Sequence, residues 1–113
     1  MKWDVLLHEE FDSEFDNLPE AVQDEMLAPQ LGRPRVDTLN GSRHANMKEM
    51  RFEAAGGVWR VAFAFDPKRR AILLVCGDKS DGSEKRFYRQ LIAKADKRFD
   101  GHLAAAKAER KKR

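Results

Sequence analysis

An α+β fold is predicted by the way the apolar period changes along the chain. Apolar residues recur every three or four positions near both ends. They recur at every second position in the middle, where "NMKEMRFEAAGGVWRVAFAFD" reads as two strands around a turn. The order of these blocks is one short strand, two helices, three antiparallel strands and a last helix. That order describes a meander sheet with helices against one face.

Each element has a local reason. "WDVLLH" (3–8) alternates weakly and predicts a first strand. Phe11, Phe15 and Leu18 define the apolar stripe of a first helix, whose early acids suit the positive end of the helix dipole. Pro19 ends that helix and can open the next at its first turn. Val22, Met26 and Leu27 give the second, short helix one apolar face, and "QLGRP" stops it. The two together form a short helical hairpin. Residues 32–45, "GRPRVDTLNGSRHA", read as loop. In the next strand Met50 and Phe52 share one face, while Glu49, Arg51 and Glu53 share the other. Gly56-Gly57 turns the chain. Trp59, Val61, Phe63 and Phe65 then alternate with Val58, Arg60, Ala62 and Ala64. "DPKRR" is a turn, and "AILLVCG" is apolar enough to be a central strand covered on much of both faces. Ser83 caps the last helix, with Tyr88, Ile92, Ala95, Phe99 and Leu103 as its stripe and Gly101 as a weak point.

At 113 residues the chain supports one domain, taken as 1–103, followed by a basic tail over 104–113 that is expected to fray. The net charge of +3 conceals a division. Residues 1–28 carry −8, residues 29–103 carry +7 and the tail carries +4. Such segregation points to a cationic working surface with an acidic region elsewhere. Cys76 is the one cysteine and lies in an apolar run, so it reads as a small buried hydrophobe in a reducing cytoplasm. No apolar stretch approaches a membrane span, and the N-terminus turns acidic too early for a signal peptide. The three histidines lack metal-ligand spacing, and there is no phosphate-binding glycine loop or nucleophile elbow. No metal or other cofactor is expected.

Cations in the middle of strands are the feature that demands chemistry. If the faces with Met50/Phe52 and Trp59/Phe63 pack under the helices, Arg51 and Arg60 project from the opposite face at neighbouring positions, where they repel unless an anion lies between them. Phosphate suits their planar forks. Glu49 and Glu53 offer the structural alternative, a salt-bridged sheet face. Lys79, Lys85, Arg86 and Arg89 surround Tyr88, the only tyrosine. Cations interleaved with an aromatic are a pattern for single-stranded RNA or DNA. The competing reading of Tyr88 is core on its helix stripe.

Three ordered stretches, "GRPRVDTLNGSRHANMKEMRF", "RVAFAFDPKRRAILLVCGDK" and "RFYRQLIAKADKRFDGHL", resemble the RelE/ParE toxin superfamily, in its phage-related HigB-like branch. The resemblance covers about 31–103 and, more loosely, the N-terminal strand and helices. It implies the RelE-like small domain and the toxin of a type II toxin–antitoxin pair. Enzymatic relatives are endoribonucleases that cut messenger RNA without metal, usually on the ribosome. A helix-turn-helix antitoxin is the implied partner.

Carried over by position, Arg51 matches the basic residue of the strand motif, with Lys48 just before it. Arg60 matches the arginine of the following strand. Lys79 follows the central strand, Arg86 is a looser match, and Tyr88 is the aromatic. These six form the expected catalytic set. His44, Lys85 and Arg89 are expected to contact RNA. The reaction implied is attack of a 2′-hydroxyl on its own phosphate. Guanidinium and ammonium groups are poor bases near neutral pH, so the base is unassigned, with His44 the best match by ordinary pKa. A ParE-like inhibitor of DNA gyrase and a plain RNA-binding module are the alternatives. One departure stands out: "MLAPQLGRP" closes the second helix early, which should leave Met26 and Leu27 partly uncovered.

Overall fold

The computed structural model describes residues 4–27, 35–80 and 82–111. The expected strand position Trp3, the "QLGRP" turn and the last two tail residues lie outside them. The order of elements is β1 (Asp4–Leu7), α1 (Glu9–Phe15), α2 (Glu20–Leu27), β2 (Arg35–Thr38), β3 (Lys48–Ala54), β4 (Gly57–Phe65), β5 (Arg70–Asp78) and α3 (Glu84–Lys111). The α+β class and its strand, hairpin, meander and C-terminal helix are as the sequence predicts.

Five strands form one sheet in the order β1-β5-β4-β3-β2. Only β1 runs parallel to its neighbour. Strand β2 corrects the sequence reading, which left 32–45 as loop. Its four residues contain one apolar side chain, Val36, so alternation had little to register. Pairing with β3 supplies what local pattern lacks.

The turns follow their backbone angles. Ala55 and Gly56 both have positive φ, 48° and 74°, which is the two-residue turn that matches strand twist. The β4–β5 turn is clamped by Asp66, whose Oδ1 accepts from Lys68 N and Arg70 N at 3.0 and 2.9 Å. At the start of α1, His8 Nδ1 accepts from Glu10 N at 3.0 Å. Burial lowers the His8 pKa, which favours the unprotonated acceptor.

Helices cover both faces of the sheet, not one. On one face α1 and α2 bury Phe11, Phe15, Val22 and Met26 against Met50, Phe52, Val61, Phe63, Ala71 and Leu73. On the other, α3 buries Leu91, Ala95 and Phe99 against Ala62, Ala64, Ile72, Leu74 and Val75. The small side chains of Ala62 and Ala64 give α3 room to approach. Leu74 and Val75 point to the same face because the β4–β5 register shifts there, a β-bulge on β5. Phe63 is fully buried at the centre, so Phe63→Ala should cost about 3–5 kcal/mol. Met26 is also buried, at 2% exposure, while Leu27 stands at 53%. The early stop of α2 therefore uncovers only the second of the two.

Helix α3 continues through Gly101 into the basic tail as far as Lys111. Cys76 is half-buried, and burial pushes its thiol pKa up to about 12. At neutral pH it stays a neutral thiol.

Candidate functional site

Alternation on β3 and β4 brings three charged residues to the α3 face. Arg51 and Arg60 are directly opposed in the register, and Glu49 lies two residues before Arg51 on the same side. The N-terminal turns of α3 pass over this spot and lower Tyr88 into it. This corrects the expectation that Arg51 and Arg60 face away from the helices. They share the α3 face, at the end where the helix begins.

The four groups meet at one oxygen. Glu49 Oε1 accepts from Arg51 Nε at 2.5 Å and from the Tyr88 hydroxyl at 3.1 Å. Arg60 Nε stands 3.8 Å from the same oxygen and donates to the Tyr88 hydroxyl at 3.1 Å. Arg60 Nη1 also donates to the Trp59 carbonyl. Glu49 and Arg60 are buried at 3% and 8% exposure. The Arg51 side chain keeps about a third of its surface, 34%, in solvent, where Asp37 lies 3.6 Å from its Nη1. The hydrogen bond to Glu49 raises the pKa of Arg51. The node is thus closed below and open above.

Lys79 completes the rim. Its backbone N–H donates to the Val58 carbonyl at 2.7 Å, which ties the turn after β5 to β4. Asp78 holds the same turn by accepting from Val58 N, Ser80 N and Ser80 Oγ. The Lys79 ammonium then sits 5.9 Å from the Tyr88 ring centroid and 2.7 Å from Glu84. Its side chain keeps 22% of its surface in solvent.

The remaining expected residues fall elsewhere. Lys48 has the parity of Met50, so it lies on the α1–α2 face and reaches Thr38 Oγ1 at 3.4 Å. Lys85, Arg86 and Arg89 are exposed on the first turns of α3. Lys85 shares the Tyr88 side of the helix, whereas Arg86 is about 160° around it. His44 is packed edge-on against Phe99 and bonded to Asp100 at 2.7 Å. Asp100 is twelve residues beyond Tyr88 on α3, about 18 Å along the axis. The geometry therefore separates His44 from the node.

Two residues were not in the expected set. Glu49 appeared only as a possible neutraliser of the arginines. Its parity with Arg51 was readable, but its place at the centre depends on Tyr88 arriving from a distant helix. Arg35 occupies the register position across from Arg51 on β2, continuing the row Arg35–Arg51–Arg60 across three strands. Among the described residues no group of three His, Cys, Asp or Glu side chains is placed to hold a metal ion. Among them, too, no helix is long and apolar enough to cross a membrane.

A mostly antiparallel sheet with a phenol and two guanidinium groups around one carboxylate defines a small α+β protein with a partly exposed polar node. The sequence pattern described as "Phage derived protein Gp49-like (DUF891)" matches residues 13–100, and the chain belongs to that family. Two relatives come from Mycobacterium tuberculosis. One, named "Putative toxin HigB3", is 52% identical over 81 residues, which is 72% of this chain and 68% of that protein. The other, named "Putative toxin HigB2", is 47% identical over 89 residues, covering 75% of this chain and 44% of its own length. The chain thus spans less than half of the second relative. These matches bear out the phage-related, HigB-like resemblance. No solved structure matches the chain.

Proposed function

We propose that this protein is the toxin of a type II toxin–antitoxin pair and that it is an endoribonuclease acting on messenger RNA at the ribosome. The observation that carries this reading is the convergence of Arg51, Arg60 and Tyr88 on Glu49, buried beneath and open above. The names of the two mycobacterial relatives point the same way. A phosphodiester entering from the open side meets the Arg51 guanidinium first and Arg60 beneath it.

The reaction then draws on side chains alone. Glu49 accepts the proton of the 2′-hydroxyl, an assignment that fills the role left open by the sequence. The 2′-oxygen forms a bond to phosphorus as the bond to the 5′-oxygen breaks. Arg51 and Arg60 hold the charge that develops on the phosphoryl oxygens. Tyr88 or Lys79 delivers a proton to the departing 5′-oxygen. The products are a cyclic phosphate and a free 5′-hydroxyl. Lys85 and Arg89 supply further cations for the strand that flanks the cut. A toxin of this kind works in the cytoplasm, and its own cell must restrain it with a tight protein partner, a helix-turn-helix antitoxin.

Translation in a cell-free system tests the reading. Wild-type protein should produce new 5′-hydroxyl ends in the message, and Arg60→Ala should lower the rate by about 10²–10³-fold. Intact message with folded wild-type protein would overturn it. A second reading has one observation in its favour: Glu49 already neutralises the arginines in place. On that reading the node is structural and the exposed cations of α3 dock on a protein target such as DNA gyrase. Inhibition of supercoiling without RNA cleavage would establish it.

A further inference from the structure

We propose that Gly77 and Phe87 are the pair that positions Tyr88: the missing side chain at residue 77 is a seat for the Phe87 ring, and this seat brings the start of α3 down onto the node. The catalytic consequence rests on the nuclease reading above, but the positioning itself does not.

Gly77 is directly opposite Arg60 in the β4–β5 register and faces α3. A Cβ built there would stand 2.7 Å from Phe87 Cε1 and 3.1 Å from Cζ. Gly77 is not among the glycines with positive φ, so its backbone does not require glycine. Space is what requires it. The Phe87 ring fills that space and meets the Tyr88 ring edge to face, with centroids 5.3 Å apart at 86°. Ser83 starts the helix four residues earlier, its carbonyl accepting from Phe87 N at 2.9 Å. With the turn fixed by Ser83 and the ring fixed by Gly77, Tyr88 has little freedom left. Its hydroxyl then reaches both Arg60 and Glu49. One glycine thus sets two hydrogen bonds across the sheet.

Two readouts test this. Tyr88 is the only tyrosine, so protein labelled with ring-¹³C tyrosine gives one ring environment to follow by NMR. Gly77→Ala should shift that signal, because the new methyl displaces Phe87. It should lower kcat by about 10- to 100-fold with KM little changed, as expected when a reacting group is misplaced. Phe87→Leu on the Gly77→Ala background should return the signal towards the wild-type position and recover most of the rate. If Gly77→Ala does not fold, Phe87→Leu alone must shift the tyrosine signal by loosening the same seat. A signal unmoved by either single substitution overturns the proposal. In that case Phe87 swings into the open cleft beside Val75, Cys76 and Leu91 and leaves Tyr88 in place. If instead the signal moves as expected in a protein that cleaves no RNA, the positioning stands and the nuclease reading fails.

Discussion

The two ends of α3 both carry buried charge, and they use it in opposite ways. At the far end three carboxylates, Asp66, Asp96 and Asp100, each accept from two or more donors. Asp66 Oδ1 accepts two backbone N–H groups, and its Oδ2 takes Arg70 through two nitrogens and His102 at 3.0 Å. Asp96 takes Ser42 Oγ and Arg43 N, while Asp100 takes Arg43 and His44. Arg98 reaches around the edge of the sheet to Glu10, Glu14 and the Leu74 carbonyl. These contacts pin a loop, a turn and α1 to the helix. At the near end two guanidinium groups and a phenol share one oxygen of Glu49, and the partly exposed Arg51 faces solvent. Exposure separates the two: Asp66 and Asp96 are enclosed, whereas Arg51 at the node keeps about a third of its side chain in solvent. The far-end acids hold the fold together, whereas the node keeps one of its guanidinium groups, Arg51, within reach of solvent.

Glu49→Gln strikes this contrast hardest. It keeps the size and the acceptor oxygen but removes the charge and the capacity to take a proton. On the proposed nuclease reading, RNA cleavage under single-turnover conditions should fall by about 10²–10⁴-fold. Glu49 is buried beside the buried Arg60, so the substitution should also lower stability, and the rate is compared on the folded fraction. If the rate survives, Glu49 belongs with the far-end carboxylates, and the comparison collapses.

Arg98→Ala is the reverse experiment. The arginine is 8% exposed, but Glu10 and Glu14 keep 62% and 42% of their side-chain surface in solvent. Those acids can be rehydrated, so the loss should fall below that of a fully buried pair. We expect about 2–3 kcal/mol, mostly from the orphaned Leu74 carbonyl and lost packing. Chemical denaturation measures it. The cleavage rate of the folded fraction should stay near wild type.

Acid should destabilise the protein through its lowered carboxylates. Burial alone would raise the Asp66 pKa, but the hydrogen bonds from His102 and Arg70 outweigh it and hold the carboxyl far below its ordinary 3.8. Glu14 is lowered by Arg98, and Asp78 by Ser80. A carboxylate lowered on folding adds stability above its unfolded pKa and loses it as pH falls through the folded one. Stability should therefore hold near neutrality and decline below about pH 4. Asp66→Asn should cost about 1–2 kcal/mol at pH 7 and flatten that decline. Denaturant midpoints taken between pH 7 and pH 2 provide the measurement. An unchanged slope would show that Asp66 is not a principal acid-sensitive group.

Much of this contrast was legible in the chain, and the parts that were not share a cause. Strand parity alone put Arg51 and Arg60 together, and the same parity, applied strictly, excludes Lys48. The apolar run of β5 already implied cover on both faces, yet Arg60 in the row of Ala62 and Ala64 made that row look like a solvent face. The bulge at Leu74–Val75 leaves no local mark, since both residues are apolar. Strand β2 has one apolar side chain and owes its form to β3. His44 looked suitable by pKa, and only the packing of its loop against Phe99 and Asp100 shows how far it is from the node. Each of these depends on contacts between residues distant in sequence, which periodicity does not encode.

The smallest effect tests whether the two ends communicate. Gly101 lies within α3, among the far-end contacts, and a Cβ there would meet nothing within 4 Å. Its backbone is not in the left-handed region, so alanine fits without strain. The wild-type glycine costs helix stability through the freedom it retains when unfolded. Gly101→Ala should therefore stabilise the protein by about 0.5–1 kcal/mol. Thermal or denaturant unfolding would reveal it. The node sits more than three turns of helix away, and no contact of Gly101 leads to it, so cleavage should be unaltered. A variant that is more stable and equally active keeps the two ends independent. A variant that is more stable but slower would mean that α3 must flex near its far end for Tyr88 to act, and the division drawn between a holding end and a working end would have to be given up.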